Sequence, residues 1–348
     1  MIKTPHRLFF CALFFGCLGS NAAQAGAIDT QADAPAAHST ASVAELYPGE
    51  ADDVGPQVAL AIPPSRVHLE LTADSQYYHT SNLFLTEEDP NFGLRRESAR
   101  VLLNTVEVAV APDPVLLGSG EFQPRAGYRQ QWYNFHLKNS GSFPALDARD
   151  VNFSAQTAFM EARYRYNKQW IFDGGVDFTR LLYAHKGRFH EEGEFYSELM
   201  PRWGVRRVFT LDDTRAVTAG YEGAYHVSAA DQLVFPNIPT NVNDRWDSNL
   251  FVNYTQAITP KFIIEPAYRF KQTDYTHFAD SFGPTGRHDR LHSVGATVYY
   301  YFIPEISARA FANYEIKDST ARDQGNPGPV YDYKKLDTGI ALNLNYKF

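Results

Sequence analysis

The most chemically suggestive stretch of the chain is Tyr77-Tyr78-His79-Thr80-Ser81-Asn82-Leu83-Phe84. In a β-strand alternate side chains share a face, so His79 and Ser81 would stand side by side. An imidazole beside a hydroxyl is the pair that makes a base-activated nucleophile. Ser-Asn pairs also close strands, because both side chains bond nearby backbone. His288 and His292 share strand parity but lie four residues apart, roughly 13 Å along a strand, too far to clasp one metal ion. His185, His190, Glu191 and Glu192 read as solvated loop charge more readily than as a metal site. Gly118-Ser119-Gly120 leads into a strand rather than a helix, so it is no phosphate cradle. Both cysteines, Cys11 and Cys17, fall in the first 25 residues, leaving no thiolate or disulfide chemistry beyond them. No catalytic residue, metal or cofactor is assigned on these grounds.

A larger reservoir of chemistry is the set of charges at alternate positions. Arg125, Arg129, Arg163, Arg165, Arg202, Arg206, Arg269, Lys271 and Arg309 alternate with apolar or aromatic residues. So do Glu70, Asp74, Glu107, Glu161, Asp173, Asp177, Glu198, Glu222, Glu265 and Glu315. Period-two alternation demands strands with one charged and one apolar face. Twelve such strands are expected near 66–79, 99–110, 120–136, 150–166, 169–183, 194–209, 216–228, 244–257, 261–276, 288–302, 305–317 and 332–348. Short connections at 111–119, 167–168, 211–215, 258–260 and 303–304 carry the Pro, Asp and Asn that turns favour. Long polar ones at 80–98, 137–149, 184–193, 229–243, 277–287 and 318–331 alternate with them.

An even number of long strands, apolar on one side, satisfies every backbone group only by closing on itself. The expected fold is all-β: a closed antiparallel transmembrane barrel over residues 66–348. Val106, Val108, Val110, Tyr164, Tyr166, Trp170, Phe172, Phe178, Tyr300 and Phe302 should face lipid, with the charges facing the lumen. Composition agrees: 25 Phe, 21 Tyr and 4 Trp supply interfacial aromatics, and a formal charge of −8 argues against a nucleic-acid partner.

The N-terminal residues fit an exported chain. Lys3 and Arg7 precede the apolar run Leu8–Leu18, and Ala23-Gln24-Ala25 matches a cleavage site, so residues 1–25 read as a signal peptide. Residues 26–65 hold six acids and no Lys or Arg, with much Ala and Pro, and are expected to form a disordered acidic periplasmic arm.

The closing run Gly339–Phe348, with Leu344, Tyr346 and Phe348 on one face, resembles the C-terminal signal of Gram-negative outer-membrane proteins. That likeness implies recognition by the barrel-assembly machinery and residence among outer-membrane lipids. Tyr77–Phe84 resembles the opening signature of the β-barrel porin (porin 2-like) family, with one extra residue before Ser81-Asn82. His79-Thr80-Ser81-Asn82 also resembles the His-x-Ser-Asn motif of outer-membrane lipid hydrolases, although Leu83 stands where those enzymes carry a small residue.

Three functions follow as expectations. A passive channel would pass small polar or charged solutes between Arg125, Arg129, Arg163, Arg165, Arg202, Arg206, Arg269, Arg309, Asp173, Asp177, Glu198 and Glu265. Arginines concentrated on the third, fourth and sixth strands would then oppose acids elsewhere and set a transverse field. Alternatively the charges pair and fill the lumen, or the acidic arm plugs it, and the barrel serves polysaccharide export or surface assembly. A lipid hydrolase using His79 and Ser81 is the third.

Overall fold

The computed structural model describes residues 67–83, 85, 98–137, 150–167, 169–187, 191–230, 240–277, 287–320 and 332–348. The signal peptide and acidic arm expected at residues 1–65, together with Phe84 and His190, lie outside the described residues.

Among the described residues thirteen strands form one sheet: β1 (Val67–Thr80), β2 (Ala99–Pro112), β3 (Val115–Leu117), β4 (Gly120–Leu137), β5 (Phe153–Tyr166), β6 (Trp170–Tyr183), β7 (Gly193–Asp212), β8 (Arg215–Ala230), β9 (Arg245–Thr259), β10 (Phe262–Tyr275), β11 (His288–Ile303), β12 (Ile306–Ser319) and β13 (Tyr333–Lys347). Every long strand pairs antiparallel with its chain neighbours. The ring closes where β1 meets β13, from Glu70 opposite Lys347 to Thr80 opposite Asp337. The gap across the short β3 is bridged by β2 pairing directly with β4, Val110 opposite Ala126 through Ala99 opposite Leu137. The result is a closed barrel of twelve long strands, as the alternation requires. The addition is β3, a three-residue spur in what the sequence reads as a plain turn. It folds back on β4 through Gly118, whose φ of 62° suits a residue without Cβ.

Each long strand has at least 14 residues, more than a bilayer crossing needs. The tight connections, including Asn167 in the left-handed region at φ 52°, gather at the end that holds both Val67 and Lys347. The long connections leave from the other end.

The barrel inverts the usual distribution of polarity. Met160 is 68% exposed and Val294 58% exposed on the outside, while inward Glu107 and Asp177 are each 7% exposed. Val106, Val108, Val110, Phe172, Phe178, Tyr300 and Phe302 stand on the exposed wall, and Trp170 lies against Phe172 at the same end. A closed sheet that is apolar outside and charged inside is built for a bilayer.

Candidate functional site in the barrel lumen

The inward face is a stack of charge clusters. Nearest the tight-turn end, Arg163 Nε donates to Asp173 Oδ1 at 2.8 Å, with Arg206 3.4 Å from the other oxygen. Arg165 lies 3.9 Å from Glu121. These groups stand within a few residues of the Asn167 turn and are partly exposed.

At mid-height Arg125 forms a hub. Its Nε donates to Glu70 at 2.9 Å, one terminal nitrogen to Glu161 at 3.1 Å, and the other to Glu107. Arg129 Nε donates to the second oxygen of Glu107 at 2.6 Å. Arg202 binds the second oxygen of Glu161 at 2.6 Å and Asp177 at 3.1 Å. Arg125 and Arg129 also cover the ring of Phe159 at 5.1 and 5.5 Å. Phe159 can lie flat there because its neighbour is Gly127. A Cβ at that position would come within 2.6 Å of the ring and 2.5 Å of the Val108 carbonyl. Beside the hub, Arg309 contacts Asp74 at 3.1 Å.

Toward the long-connection end the interior fills. On β1 to β7 an apolar cluster includes Tyr78, Val101, Tyr133, Phe135, Phe153 and Tyr183, all under 9% exposed. On β7 to β13 the filling is ionic. His226 sits between Glu198 and Asp247, 3.0 Å from each, and Lys271 reaches Asp247 at 2.8 Å. Asp289 takes Arg287 at 2.6 Å and Lys317 at 3.2 Å. Lys335 bridges Glu315 at 3.1 Å and Asp337 at 3.0 Å. Such buried groups persist only when paired, and here they are.

All twelve expected lumen residues face inward, and the structure connects most of them. The opposed tracks are not what it builds. In an up-and-down barrel consecutive strands are neighbours, so the arginine strands β4, β5 and β7 lie beside the acidic strands β2, β6 and β8, with the acidic β1 one strand beyond β2. Arg125, Arg129 and Arg202 are therefore neutralised laterally, with no basic arc facing an acidic one.

The exceptions lie on the β8–β10 wall. Among the described residues, Glu222 and Glu265 have no cation within ion-pair distance. Glu222 accepts from Asn249 at 2.7 Å and Glu265 from the Thr255 hydroxyl at 3.1 Å. Arg269 has no carboxylate partner among them and lies 5.9 Å from the Phe251 ring. Along the strands the order runs Glu265, Arg269, then Glu222 near Asn249 and Lys271, then the Asp247–His226 pair. His226, Asp247, Asp289, Lys317, Lys335 and Asp337 are lumen groups that the sequence does not single out. Their parity is that of the other inward charges, but they sit near strand ends, where alternation alone does not mark the boundary with the loops.

His79 faces outward as parity requires. Ser81 Oγ accepts the backbone N–H of Leu336 at 2.8 Å, so it is held as a strand-end bond to β13. At the barrel seam Phe348 N–H donates to the Leu69 carbonyl at 2.9 Å, and the rings of Tyr346 and Phe348 meet edge-on at 4.6 Å.

No protein-family model matches the sequence, and no curated protein does. Among solved structures, the chain is similar to an outer-membrane channel from Pseudomonas putida F1, at TM-score 0.48 and 11% identity, covering 84% of this chain and all of that one. It is similar to the β domain of the Bordetella autotransporter BrkA, at TM-score 0.43 and 11% identity, covering 80% and 99%. The translocator domain of autotransporter NalP from Neisseria meningitidis gives TM-score 0.42 and 9% identity, covering 82% and 91%. At these values the likenesses carry no functional weight.

Proposed function

We propose that the protein resides in the bacterial outer membrane, with the tight turns in the periplasm and the long connections outside, and acts as a narrow channel for small polar or charged solutes. The observation that carries this is the run of uncompensated polar groups Glu265, Arg269 and Glu222 along one wall of a barrel that is apolar outside. Charges with no ion-pair partner among the described residues are the ones that exchange contacts with a passing ion, whereas the Arg125 hub is occupied by its own acids. Two carboxylates against one guanidinium give this path a preference for cations.

The packed layer above sets the expected size of the flow. Aromatic groups close one side, so passage follows the ionic side, past Asp247 and Lys271, and conductance is small. Tyr77–Phe84, with its likeness to the porin signature, is consistent with this role, and no enzymatic chemistry enters it. Uptake into liposomes tests the proposal. Protein-containing vesicles should admit a small monovalent organic cation faster than an anion of equal size. Equal rates for the two, or entry no faster than into empty vesicles, contradict it.

A further inference from the structure

On the outer wall, beside the long connections, three strands carry a row of basic side chains. The register sets His79 of β1 against Arg100 of β2, and Arg100 against His136 of β4. All three are exposed, while their chain neighbours Tyr78, Thr80, Ala99, Val101 and Phe135 are buried, so all three point outward. Opposed side chains on adjacent strands stand about 5 Å apart, which makes the row about 10 Å wide with Arg100 at its centre.

Two residues nearer the middle of the wall the surface turns apolar. Tyr77 is opposite Leu102 on one side and Ile340 on the other, and Tyr77 and Ile340 are both exposed. An exposed tyrosine at the edge of an apolar belt marks the depth of lipid head groups. The basic row therefore stands at head-group depth, clear of the acyl chains. The corresponding outward row on β10 to β12 is balanced. There Asp274 contacts His288 at 2.6 Å, and Arg290 faces Asp318 across the strand pair. Arg100 has no such partner: among the described residues no carboxylate lies within ion-pair distance of it.

We propose that the row His79, Arg100 and His136 is a binding site for the phosphate head group of a lipid in the outer leaflet. The Arg100 fork matches a phosphate with two parallel hydrogen bonds, and the flanking imidazoles offer a ring N–H from either side. Tyr77, Leu102 and Ile340 provide the apolar wall against which the acyl chains of the same lipid lie. This assigns His79 a role in binding rather than in activating Ser81. The site rests on the membrane orientation proposed above and is independent of conduction.

Native mass spectrometry of the full chain folded in detergent micelles tests it, using bis-phosphorylated lipid A and its dephosphorylated form as probes. The wild-type barrel should retain the phosphorylated lipid in preference. The combined variant His79→Gln, Arg100→Gln, His136→Gln should lose that retention at least about tenfold, as expected for removing charge-assisted bonds. Arg290→Gln should behave as wild type. Folding is verified by the heat-dependent gel shift of a closed barrel. A folded wild type that binds both lipids equally overturns the site, as does a folded triple variant that retains the phosphorylated lipid fully. Displacement of the lipid by millimolar inorganic phosphate alone overturns the lipid as occupant. A chain that folds only in lipid-free and detergent-free solution overturns the membrane reading itself.

Discussion

Arg202 Nη2 donates to Glu161 Oε2 at 2.6 Å, while the other oxygen of the same carboxylate is held by Arg125. One acid on β5 thus ties β4 to β7 across β6, and the charge on either arginine is spent inside the wall. This is why abundant lumen arginine does not by itself imply an anion path.

Glu161→Gln tests that coupling. It removes the shared charge and leaves both guanidinium groups with their remaining acids, so a loss on the order of 2 kcal/mol of stability is expected. Denaturant midpoints of the folded barrel in lipid provide the reading. Arg125→Met should cost more, because Glu70, Glu107 and Glu161 then face one another without the cation that joined them.

Lys335 probes the packed upper layer. Its side chain is 4% exposed between Glu315 and Asp337, which are 5% and 2% exposed. Lys335→Met strands two buried carboxylates and should destabilise the barrel by about 3–5 kcal/mol. A midpoint shift no larger than that of an exposed control such as Lys334→Met contradicts the packing described for this end.

The architecture was legible in the sequence because alternation is a direct imprint of a two-faced wall. Val106, Glu107, Val108 and Val110 revealed the faces of β2, and the Pro, Asp and Asn turns set the strand ends within a few residues. The state of the lumen was not legible. Parity assigns Arg125 to the interior, but only the register shows that Glu70, Glu107 and Glu161 all lie within its reach. Likewise Glu265 and Arg125 are alike in sequence, and they differ in whether an opposite charge stands on the next strand. The spur β3 went unseen because three residues between Pro114 and Gly118 are too few to show a period.

Gly127 offers a steric test at one position. Alanine there would press on Phe159 and on the Val108 carbonyl, displacing the ring beneath Arg125 and Arg129. A loss of about 1–3 kcal/mol is expected, as for overpacking elsewhere. Phe159→Ala in the same chain should recover part of it by vacating the space.

The C-terminal run is proposed to act in assembly as well as in closure of the seam. Deletion of Phe348 removes its bond to the Leu69 carbonyl and its contact with Tyr346. The yield of folded barrel in cell membranes should fall several-fold, while refolding from denaturant into detergent should change little. Equal losses in both settings would assign the residue to stability alone.

Residues 26–65 supply a further discriminating variant. The narrowing of the lumen is made by strand side chains such as Tyr133, Phe153, Asp247 and Lys271, so removing the acidic segment should leave conductance unchanged. An increase on deletion would transfer the restriction from the barrel wall to that segment.

The most direct measurement is single-channel conductance in a planar bilayer under a salt gradient, comparing wild type with Glu222→Gln, Glu265→Gln. Small discrete steps are expected, with a reversal potential on the cation side that moves toward zero in the double variant. Silence from a correctly folded barrel, or an anion preference that the double variant leaves untouched, would contradict the proposed path along the β8–β10 wall.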